Sequence, residues 1–359
     1  MKNIIIYFGS FDPFHKGHME LIKNSMEEIN ADSIYIGLNK NSPKGTLTPL
    51  YHRKKMLEIA VKNNLICKIL PFYFDYKDLT ITYKKIFSLI KENYNYYILL
   101  GEDQLVDLGS WKDIDLLKNK FKFIVAKRNL DGYNREKYCD NFIFIDNKYR
   151  HISSEVIRKG NYECTLDCIK NYIENNNLYL KNQIKEYLTN KRYKHVLSTA
   201  RTALIINKKA NLGLNKYVVE KAALLHDIAK NIEYDESLKL IKEKYPDHSG
   251  ESSNVLHQYL VEYIAREKFN VKDKEILNAI KFHTTGRANM SKLEKLIFIS
   301  DKIEPLRKVN TKEIIDLCVK NFDNAFIKML LINKQYLESK LIDIDSTTNE
   351  CYKFYLKNY

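Results

Sequence analysis

The stretch GSFDPFHKGH, residues 9–18, decides the fold of the first half of this 359-residue chain, because it joins an apolar run to a periodic one. The apolar residues 2–8 predict a buried strand, and the periodic residues 19–29 predict a helix. Gly9 allows the chain to leave the strand in a conformation that a side chain would exclude, and Pro13 fixes the turn before the helix. The stretch therefore predicts a sharp turn from strand to helix.

His15 and His18 determine the chemistry of this turn. They lie three residues apart, which places both imidazoles on one face of a first helical turn. The first N–H groups of a helix have no partner within the helix and attract anions. The turn is therefore predicted to bind phosphate.

Strands and helices alternate through the first half of the chain. The segments that predict strands are 2–8, 33–38, 66–74, 96–100, 121–126 and 142–145, and those that predict helices are 19–29, 51–63 and 81–92. This alternation predicts an α/β fold, a Rossmann-like doubly wound parallel sheet with ligands at the carboxyl ends of its strands. From about residue 182 the periodicity is helical only, which predicts a second, all-α domain. We expect the domains to span residues 1–180 and 183–359.

Three segments of the first half resemble nucleotidylyltransferases. FDPFHKGH resembles the HxGH signature of that superfamily, in the form found in nicotinate mononucleotide adenylyltransferases. GEDQLVDLGSWK, residues 101–112, resembles the GxD and Trp segment of that family, and HISSEVIRKG, residues 151–160, resembles its ISSxxIR helix start. The resemblance covers the chain to about residue 180. It implies transfer of the adenylyl group of ATP to nicotinate mononucleotide, with Mg²⁺ accompanying the ATP.

The resemblance also implies roles for individual residues. The groups that would hold the transferring phosphates are His15, His18, Lys44 and Arg158. Asp103 would lie near the ATP ribose and Trp111 near the nicotinate ring. The other substrate contacts would be Gly9, Ser10, Phe11, Thr82, Gly101, Ile152, Ser153 and Ser154.

Two segments depart from the family pattern. The loop after the second strand usually carries Pro-His-Lys, whereas the residues from Ser42 to Lys44 lack the histidine. After the third strand the usual pattern is close to YTxxT, whereas Lys85 stands where a second threonine is expected. These positions face the acceptor in the family. A different acceptor, such as nicotinamide mononucleotide or a phosphopantetheine-like compound, therefore stays open.

Five of the nine histidines lie in the second half, and four of them stand in strings that suggest metal ligands: RYKH, LLHDIAK, VLHQ and KFHTTGR. His226 and Asp227 are adjacent and follow an apolar run. A buried ionisable pair needs compensation, which a metal ion would supply. Asp301, in FISDKIEP, completes an ordered set of four histidines and two aspartates.

This ordered set resembles the HD-domain metal-dependent phosphohydrolases. The strings together, from about residue 191 to residue 307, resemble the YqeK-type HD proteins, whose activity is symmetrical hydrolysis of diadenosine tetraphosphate. An HD module that senses nucleotides, or that hydrolyses another phosphate ester, is the alternative.

Six ligands are too many for one ion, so we expect two divalent metals. One ion is assigned to His195, His226, Asp227 and Asp301, and the other to His257 and His283, with Asp227 bridging. Imidazole and carboxylate ligands suit iron, manganese or zinc, and the resemblance favours iron. Asp227 and Lys230 are expected to take part in catalysis, and the candidate phosphate contacts are Lys230, Arg287 and Arg307.

The composition limits the kinds of partner that the chain is expected to bind. The formal net charge of +14 suggests anionic ligands such as ATP and other nucleotides, but the basic residues are diffuse, which argues against nucleic acid. The six cysteines form no regular framework, and no apolar run approaches the roughly 20 residues of a membrane helix. We expect a cytoplasmic enzyme with no membrane partner; homo-oligomer formation is left open.

Overall fold

The computed structural model describes residues 1–42, 45, 47–74, 85, 88, 93–108, 114–127, 141–248, 253–307 and 310–357. The chain divides into two compact units, Met1–Leu178 and Tyr179–Tyr359. The predicted fold class, an α/β half followed by a helical half, is confirmed.

The first unit is built on a six-stranded sheet in which every pairing is parallel. Its strands are β1 (Lys2–Gly9), β2 (Ser33–Leu38), β3 (Cys67–Ile69), β4 (Tyr94–Gly101), β5 (Lys122–Ala126) and β6 (Phe142–Ile145), in the order β3-β2-β1-β4-β5-β6. The chain winds outward in one direction from β1 and in the other from β4. The carboxyl ends of these two strands therefore form the topological switch point, where α/β sheets bind ligands.

The helices of the first unit that the structure describes are α1 (Lys16–Ile29), α2 (Leu50–Val61), α3 (Glu102–Leu108), α4 (Ile114–Lys120), α5 (Ser154–Arg158) and α6 (Asp167–Asn175). Apolar residues alternate onto one face of the central strands and pack with α3 and α4, as in the fully buried Phe123 and Leu117. The helix predicted for 81–92 lies almost entirely outside the described residues.

The third strand is shorter than predicted. It covers Cys67–Ile69 rather than 66–74, and the chain returns to the sheet only at Phe74, whose N–H donates to the Leu38 carbonyl. Pro71 lies in this interval and has no N–H to offer a neighbouring strand. The interruption therefore has a local cause in the sequence.

The second unit is helical throughout its described residues. Its helices are α7 (Leu180–Ile184), α8 (Asn190–Lys209), α9 (Lys216–Leu225), α10 (Tyr234–Lys244), α11 (Ser253–Phe269), α12 (Lys274–Lys281), α13 (Lys292–Ile303), α14 (Thr311–Lys320), α15 (Phe322–Ser339) and α16 (Ser346–Tyr355), with 3₁₀ turns at Pro246–His248 and Pro305–Arg307. One continuous apolar core joins them, and it includes Leu224 and Leu225 immediately before the HD pair. No described helix of the chain is both long enough and apolar enough to cross a membrane.

Candidate active sites

The turn at residues 9–18 lies at the carboxyl end of β1, where His15 is the N-cap of α1. The rings of His15 and His18 are stacked, with their centroids 3.6 Å apart, and the His15 N–H donates to Nδ1 of His18 over 3.2 Å. Phe11 and Phe14 flank His18, at centroid distances of 5.0 and 5.2 Å. The two histidines are thus held together on one side by aromatic packing.

Gly9 is required for a reason other than the one that the sequence suggested. A side chain at Gly9 is excluded by the Phe11 ring, which lies 2.6 Å from the place where a Cβ would stand, and not by the backbone angles of Gly9 itself. It is Phe11 that has a left-handed backbone, with φ of 44°. The close approach could not be read from the sequence, because it depends on the fold of the turn.

The ISSEVIR segment is brought against this turn. The Arg158 guanidinium donates to the Asp12 carbonyl over 2.7 Å, and the Ser154 hydroxyl donates to the Pro13 carbonyl over 3.0 Å. Ser153 caps α5 by accepting the Val156 N–H, and Ile152 is buried beside it. Arg158 therefore stabilises the turn directly, in addition to any contact with phosphate.

The remaining candidates of this half divide into two groups. Gly101 ends β4, its N–H donates to the Gln104 side chain, and Asp103 is half-buried in the first turn of α3, so both lie at the switch point. Ser10 lies in the turn, where its carbonyl accepts from Arg53. Lys44, Thr82 and Trp111 lie outside the described residues.

Arg53 is a site residue that the sequence analysis missed. Its side chain is 1% exposed and donates to the carbonyls of Ser10 and Asn39 over 2.9 and 2.7 Å. It also donates to the carbonyls of Thr48 and Lys40, over 2.8 and 3.5 Å. Arg53 therefore ties together the ends of β1 and β2 and the entry to α2. Within YHRKKMLE it has the appearance of an ordinary surface cation.

The second unit brings four histidines and two aspartates into one buried cluster. Ligand atoms of His195, His226 and Asp227 all lie within 4.8 Å of one another, and so do those of Asp227, His257 and His283. We call these the first and the second triad. Asp227 belongs to both.

The two carboxylate oxygens of Asp227 face different triads. Oδ2 lies 3.6 Å from Nε2 of His195 and 3.8 Å from Nε2 of His226. Oδ1 lies 3.5 Å from Nε2 of His257 and 3.5 Å from Nε2 of His283. A single carboxylate is therefore placed to contribute one oxygen to each triad.

Asp301 lies beside the first triad. Its Oδ1 is 3.0 Å from Nε2 of His195 and 3.6 Å from Nε2 of His226. The structure thus brings together all six residues proposed as metal ligands, with Asp301 on the side of His195.

Outer partners orient three of the histidines. Nδ1 of His226 donates to the Ala223 carbonyl and Nδ1 of His283 donates to the Ile280 carbonyl, each over 2.7 Å. Nδ1 of His195 lies 3.0 Å from a carboxylate oxygen of the buried Glu304. A histidine that donates from Nδ1 presents the lone pair of Nε2, which is the arrangement typical of metal-binding histidines.

The surroundings of His257 best test whether the residues of the cluster fit a metal ion. His257 is 4% exposed, and within the part of the chain that the structure describes neither ring nitrogen has a partner in hydrogen-bonding geometry; Nε2 faces Oδ1 of Asp227 at 3.5 Å. Burial lowers the pKa of His257 to about 4, so its ring is neutral at physiological pH. A buried imidazole without a hydrogen bond is costly, and a bound cation would use its lone pair. The residues present therefore fit a metal centre.

The carboxylates of the cluster are held ionised. Burial opposes ionisation of Asp227, but His226, His257 and His283 outweigh it and hold the pKa of that carboxyl well below its usual range. Asp301 behaves in the same way, because His195 and His226 outweigh burial and lower its pKa. Both aspartates are therefore negatively charged ligands at neutral pH.

Several cations lie near these carboxylates. Arg192, which the sequence analysis left without a role, places Nη1 2.6 Å from Oδ2 of Asp227. Arg307 places Nη2 2.8 Å from Oδ1 of Asp301. Lys230 is half-buried and its pKa is lowered, chiefly by burial. Arg192 lies three residues before His195 on α8, a spacing that puts both on one face of the helix.

Arg287 is engaged elsewhere. Its Nε and Nη2 donate to the two carboxylate oxygens of Glu294, over 2.6 and 3.0 Å, and Glu294 forms the capping box of α13 with Ser291. The structure therefore pairs Arg287 with a helix cap, whereas the sequence suggested a contact with phosphate.

Glu304 and Lys302 are the other cluster residues that the sequence analysis missed. Both lie in SDKIEPLR, close to Asp301. Burial lowers the pKa of the Lys302 ammonium to about 8. Their proximity in sequence to a proposed ligand was the only available signal, because buried charge cannot be distinguished from surface charge in such a string.

Comparison with known proteins finds a matching family for each half of the chain. A family model described as cytidylyltransferase-like matches residues 6–160, and a model of the HD domain matches residues 192–306. A probable nicotinate-nucleotide adenylyltransferase of Endomicrobium trichonymphae is 31% identical, over 50% of this chain and 100% of its own length. A symmetrical bis(5'-nucleosyl)-tetraphosphatase of Halalkalibacterium halodurans is 38% identical, over 42% of this chain and 80% of its own length.

Some relatives combine the two halves in one chain. A probable nicotinate-nucleotide adenylyltransferase/Ap4A hydrolase of Mycoplasma genitalium is 28% identical over 95% of this chain and 99% of its own length. The sheet and the buried cluster thus define a nucleotidylyltransferase joined to an HD-domain phosphohydrolase. The chain belongs to the nicotinate-nucleotide adenylyltransferase family through its first half and to the symmetrical bis(5'-nucleosyl)-tetraphosphatase family through its second half.

Proposed function

We propose that this chain is a bifunctional enzyme. Residues 1–180 transfer the adenylyl group of ATP to nicotinate mononucleotide, which gives nicotinate adenine dinucleotide and pyrophosphate. Residues 183–359 hydrolyse diadenosine tetraphosphate symmetrically to two molecules of ADP. The observation that carries the second assignment is the position of Asp227, whose two oxygens face two separate histidine pairs.

Adenylyl transfer needs positioning and charge stabilisation rather than a covalent intermediate. The phosphate of the mononucleotide attacks the α-phosphorus of ATP, and the bond to the pyrophosphate oxygen breaks. We assign His15 and His18 as donors to the phosphates, because both lie at the start of α1 at the switch point. Lys44 and Arg158 would neutralise phosphate charge, and Mg²⁺ would accompany ATP.

The substrate contacts proposed for this half follow the same geometry. The turn would contact ATP, and the segment after β4 would contact its ribose through Asp103. The proposed set, which keeps all positions implied by the family, is Gly9, Ser10, Phe11, Thr82, Gly101, Asp103, Trp111, Ile152, Ser153 and Ser154.

The second half would bind two divalent metal ions. Imidazole and carboxylate ligands suit iron, manganese or zinc, and we propose iron because the resemblance to the YqeK-type HD proteins favours it. His195, His226 and Asp301 would hold one ion together with Oδ2 of Asp227, and His257 and His283 would hold the other together with Oδ1. When bound, the ions would supply an activated water near neutral pH and would polarise the phosphate.

The protein side chains provide the rest of the hydrolase site. Arg192 and Arg307 are partly exposed beside the two aspartates, and Lys230 lies one turn beyond the HD pair. We assign all three to the anionic tetraphosphate, since guanidinium groups bind phosphate well. Arg287, which Glu294 engages, receives a structural role instead.

The substrates support a cytoplasmic location. ATP, nicotinate mononucleotide and dinucleoside polyphosphates are soluble nucleotides, and the cysteines that the structure describes form no disulfide. The proposed partners are these small molecules, and homo-oligomer formation stays open.

The proposal is tested with the full-length protein prepared anaerobically with iron. We expect release of ADP from diadenosine tetraphosphate by the wild type and none by a His226→Ala, Asp227→Ala variant. The variant should retain pyrophosphate release from ATP and nicotinate mononucleotide, which shows that the first unit is folded, and its far-ultraviolet circular dichroism should match that of the wild type, which shows that the helical unit is folded. If the wild type binds metal but releases no ADP, the HD half acts on another phosphate ester or senses nucleotides.

A different acceptor is the second candidate for the first half. The absence of the family histidine between Ser42 and Lys44 favours it. Pyrophosphate release should be compared with nicotinate mononucleotide, nicotinamide mononucleotide and 4'-phosphopantetheine as acceptors. We expect nicotinate mononucleotide to give the highest kcat/KM; a tenfold preference for another acceptor would replace this assignment.

A further inference from the structure

Lys302 connects the two triads although it belongs to neither. It lies near the end of α13, next to Asp301, and its side chain is only 15% exposed. Its Nζ donates to the main-chain carbonyl of His283 over 3.1 Å and lies 3.9 Å from Oδ2 of Asp301. One ammonium group therefore contacts a carboxylate beside the first triad and the backbone of a member of the second.

The contacts with Asp301 are divided between its two oxygens. Oδ1 faces His195 and Arg307, at 3.0 and 2.8 Å, whereas Oδ2 faces Lys302. The ammonium thus favours the rotamer in which Oδ1 points to the histidines. On the other side, His283 uses Nδ1 for the Ile280 carbonyl, so the Lys302 contact adds a second restraint on the same turn.

Packing alone would not require a lysine at this position. Nζ lies 3.5 Å from the centroid of the fully buried Phe298 ring, a cation–π contact that offsets part of the cost of burying the charge. Burial of a cation costs free energy, and apolar replacements of buried charges are often neutral or stabilising. The ammonium is therefore explained by its two polar contacts, with the His283 carbonyl and with the Asp301 carboxylate.

We infer that Lys302 is a positioning residue that fixes the spacing of the two triads, by tying the Asp301 carboxylate to the backbone of His283. The inference rests on the proposed metal-dependent function. It requires that loss of the ammonium weakens the joint binding of the two ions, because Asp301 is assigned to the first ion and His283 to the second.

The test uses the full-length chain and Mn²⁺ as the probe, with metal binding measured by calorimetry and by electron paramagnetic resonance. Lys302→Met keeps most of the apolar stem and removes the charge. We expect it to bind the pair of ions at least tenfold more weakly, with loss of the signal of a coupled Mn²⁺ pair. The kcat for diadenosine tetraphosphate should fall at least tenfold, with a KM within threefold of the wild type.

Two further variants address charge and folding. Lys302→Arg keeps the charge and the donors, and it should restore the coupled signal. Lys302→Gln is polar, uncharged and one bond shorter, so it cannot span both partners; it should show the same loss as Lys302→Met and decides the test if the latter does not fold.

Lys295 provides a matched control on the same helix. Its side chain is 16% exposed, its Nζ lies 2.7 Å from a carboxylate oxygen of Asp323, and it covers the rings of Phe326 and Tyr355. Lys295→Met should therefore leave both metal affinities unchanged.

The results separate this inference from the proposed function. A Lys302→Met protein that binds two ions with wild-type affinities and keeps the coupled signal would overturn the inference. A wild type that binds two ions but does not hydrolyse diadenosine tetraphosphate would overturn only the proposed substrate, because the metal measurements still decide the role of Lys302. A wild type that binds a single ion would overturn both.

Discussion

Nε2 of His257 lies 3.5 Å from Oδ1 of Asp227, and among the described residues neither nitrogen of this buried ring has a partner in hydrogen-bonding geometry. The same aspartate directs its other oxygen to His195 and His226. The Asp227 carboxylate is therefore the polar group that faces the buried imidazole. The ring is retained for its lone pair, and Asp227 connects it to the first triad.

His257→Ala should therefore separate metal binding from stability. We expect the variant to lose the second ion and to bind the first within threefold of the wild type. Because the ring makes no hydrogen bond, the free energy of unfolding of the metal-free protein should fall by about 2 kcal/mol or less, from lost packing alone. Calorimetric metal titration and urea denaturation measure the two effects; retention of two ions would contradict the assignment.

Metal binding should release a proton from His226. Burial would lower the pKa of His226, but Asp227 and Asp301 outweigh it and raise that pKa, so the metal-free ring gains a proton as the pH falls. An incoming ion must displace this proton. We expect affinity for the first ion to decrease, and proton release to increase, between pH 8 and pH 6.

His257 provides the internal comparison for that measurement. With a pKa of about 4 it is already neutral over this range, so it should release no proton. Calorimetry in buffers of different ionisation enthalpy gives the number of protons. Release that is constant between pH 8 and pH 6 would contradict the raised pKa of His226.

Arg53 should be essential for the stability of the first unit, because its buried guanidinium group donates to main-chain carbonyls from three segments. Arg53→Met leaves four carbonyls without their donor, and we expect the unfolding free energy of the first unit to fall by about 3 kcal/mol. Arg53→Lys keeps the charge but cannot bridge three segments, so it should be intermediate.

Lys55 is the control for Arg53 on the same helix. It is half exposed and pairs with Glu58, so Lys55→Met should change stability by less than about 0.5 kcal/mol. Urea denaturation and pyrophosphate release are measured together. Equal stability of Arg53→Met and Lys55→Met would refute the role of Arg53.

Three arginines of the second half should differ in their effect on the KM for diadenosine tetraphosphate. Arg192→Gln and Arg307→Gln each remove a cation beside a proposed ligand, and we expect the KM for diadenosine tetraphosphate to rise about tenfold. Arg287→Gln should leave KM unchanged and lower the melting temperature, since it breaks the pair with Glu294. A raised KM for Arg287→Gln would restore it to the substrate site.

The sequence predicted those parts of the molecule whose residues stand close together in short strings. The turn at 9–18 and the ligand set from His195 to Asp301 could be identified because each residue stands in a short string, and the sheet followed from apolar periodicity. Contacts that depend on the fold could not be identified. The Phe11 ring over Gly9 and the carbonyls around Arg53 come from segments that are distant in sequence.

Charged side chains were the least predictable. The sequence around Arg192, Lys302 and Arg287 does not reveal their partners: Arg192 faces Asp227, Lys302 contacts the His283 carbonyl and Arg287 pairs with the helix cap. Their partners decide their roles, and those partners are fixed by packing in three dimensions.

The central claim is that the second half hydrolyses diadenosine tetraphosphate symmetrically at the Asp227 cluster. The most direct measurement is mass spectrometry of the products formed by the iron-loaded protein in ¹⁸O-labelled water, with Asp227→Asn as the comparison. We expect ADP as the sole product, with one of every two molecules carrying a single labelled oxygen, and no product from the variant. Formation of ATP and AMP, or no turnover by a wild type that holds two ions, would contradict the claim.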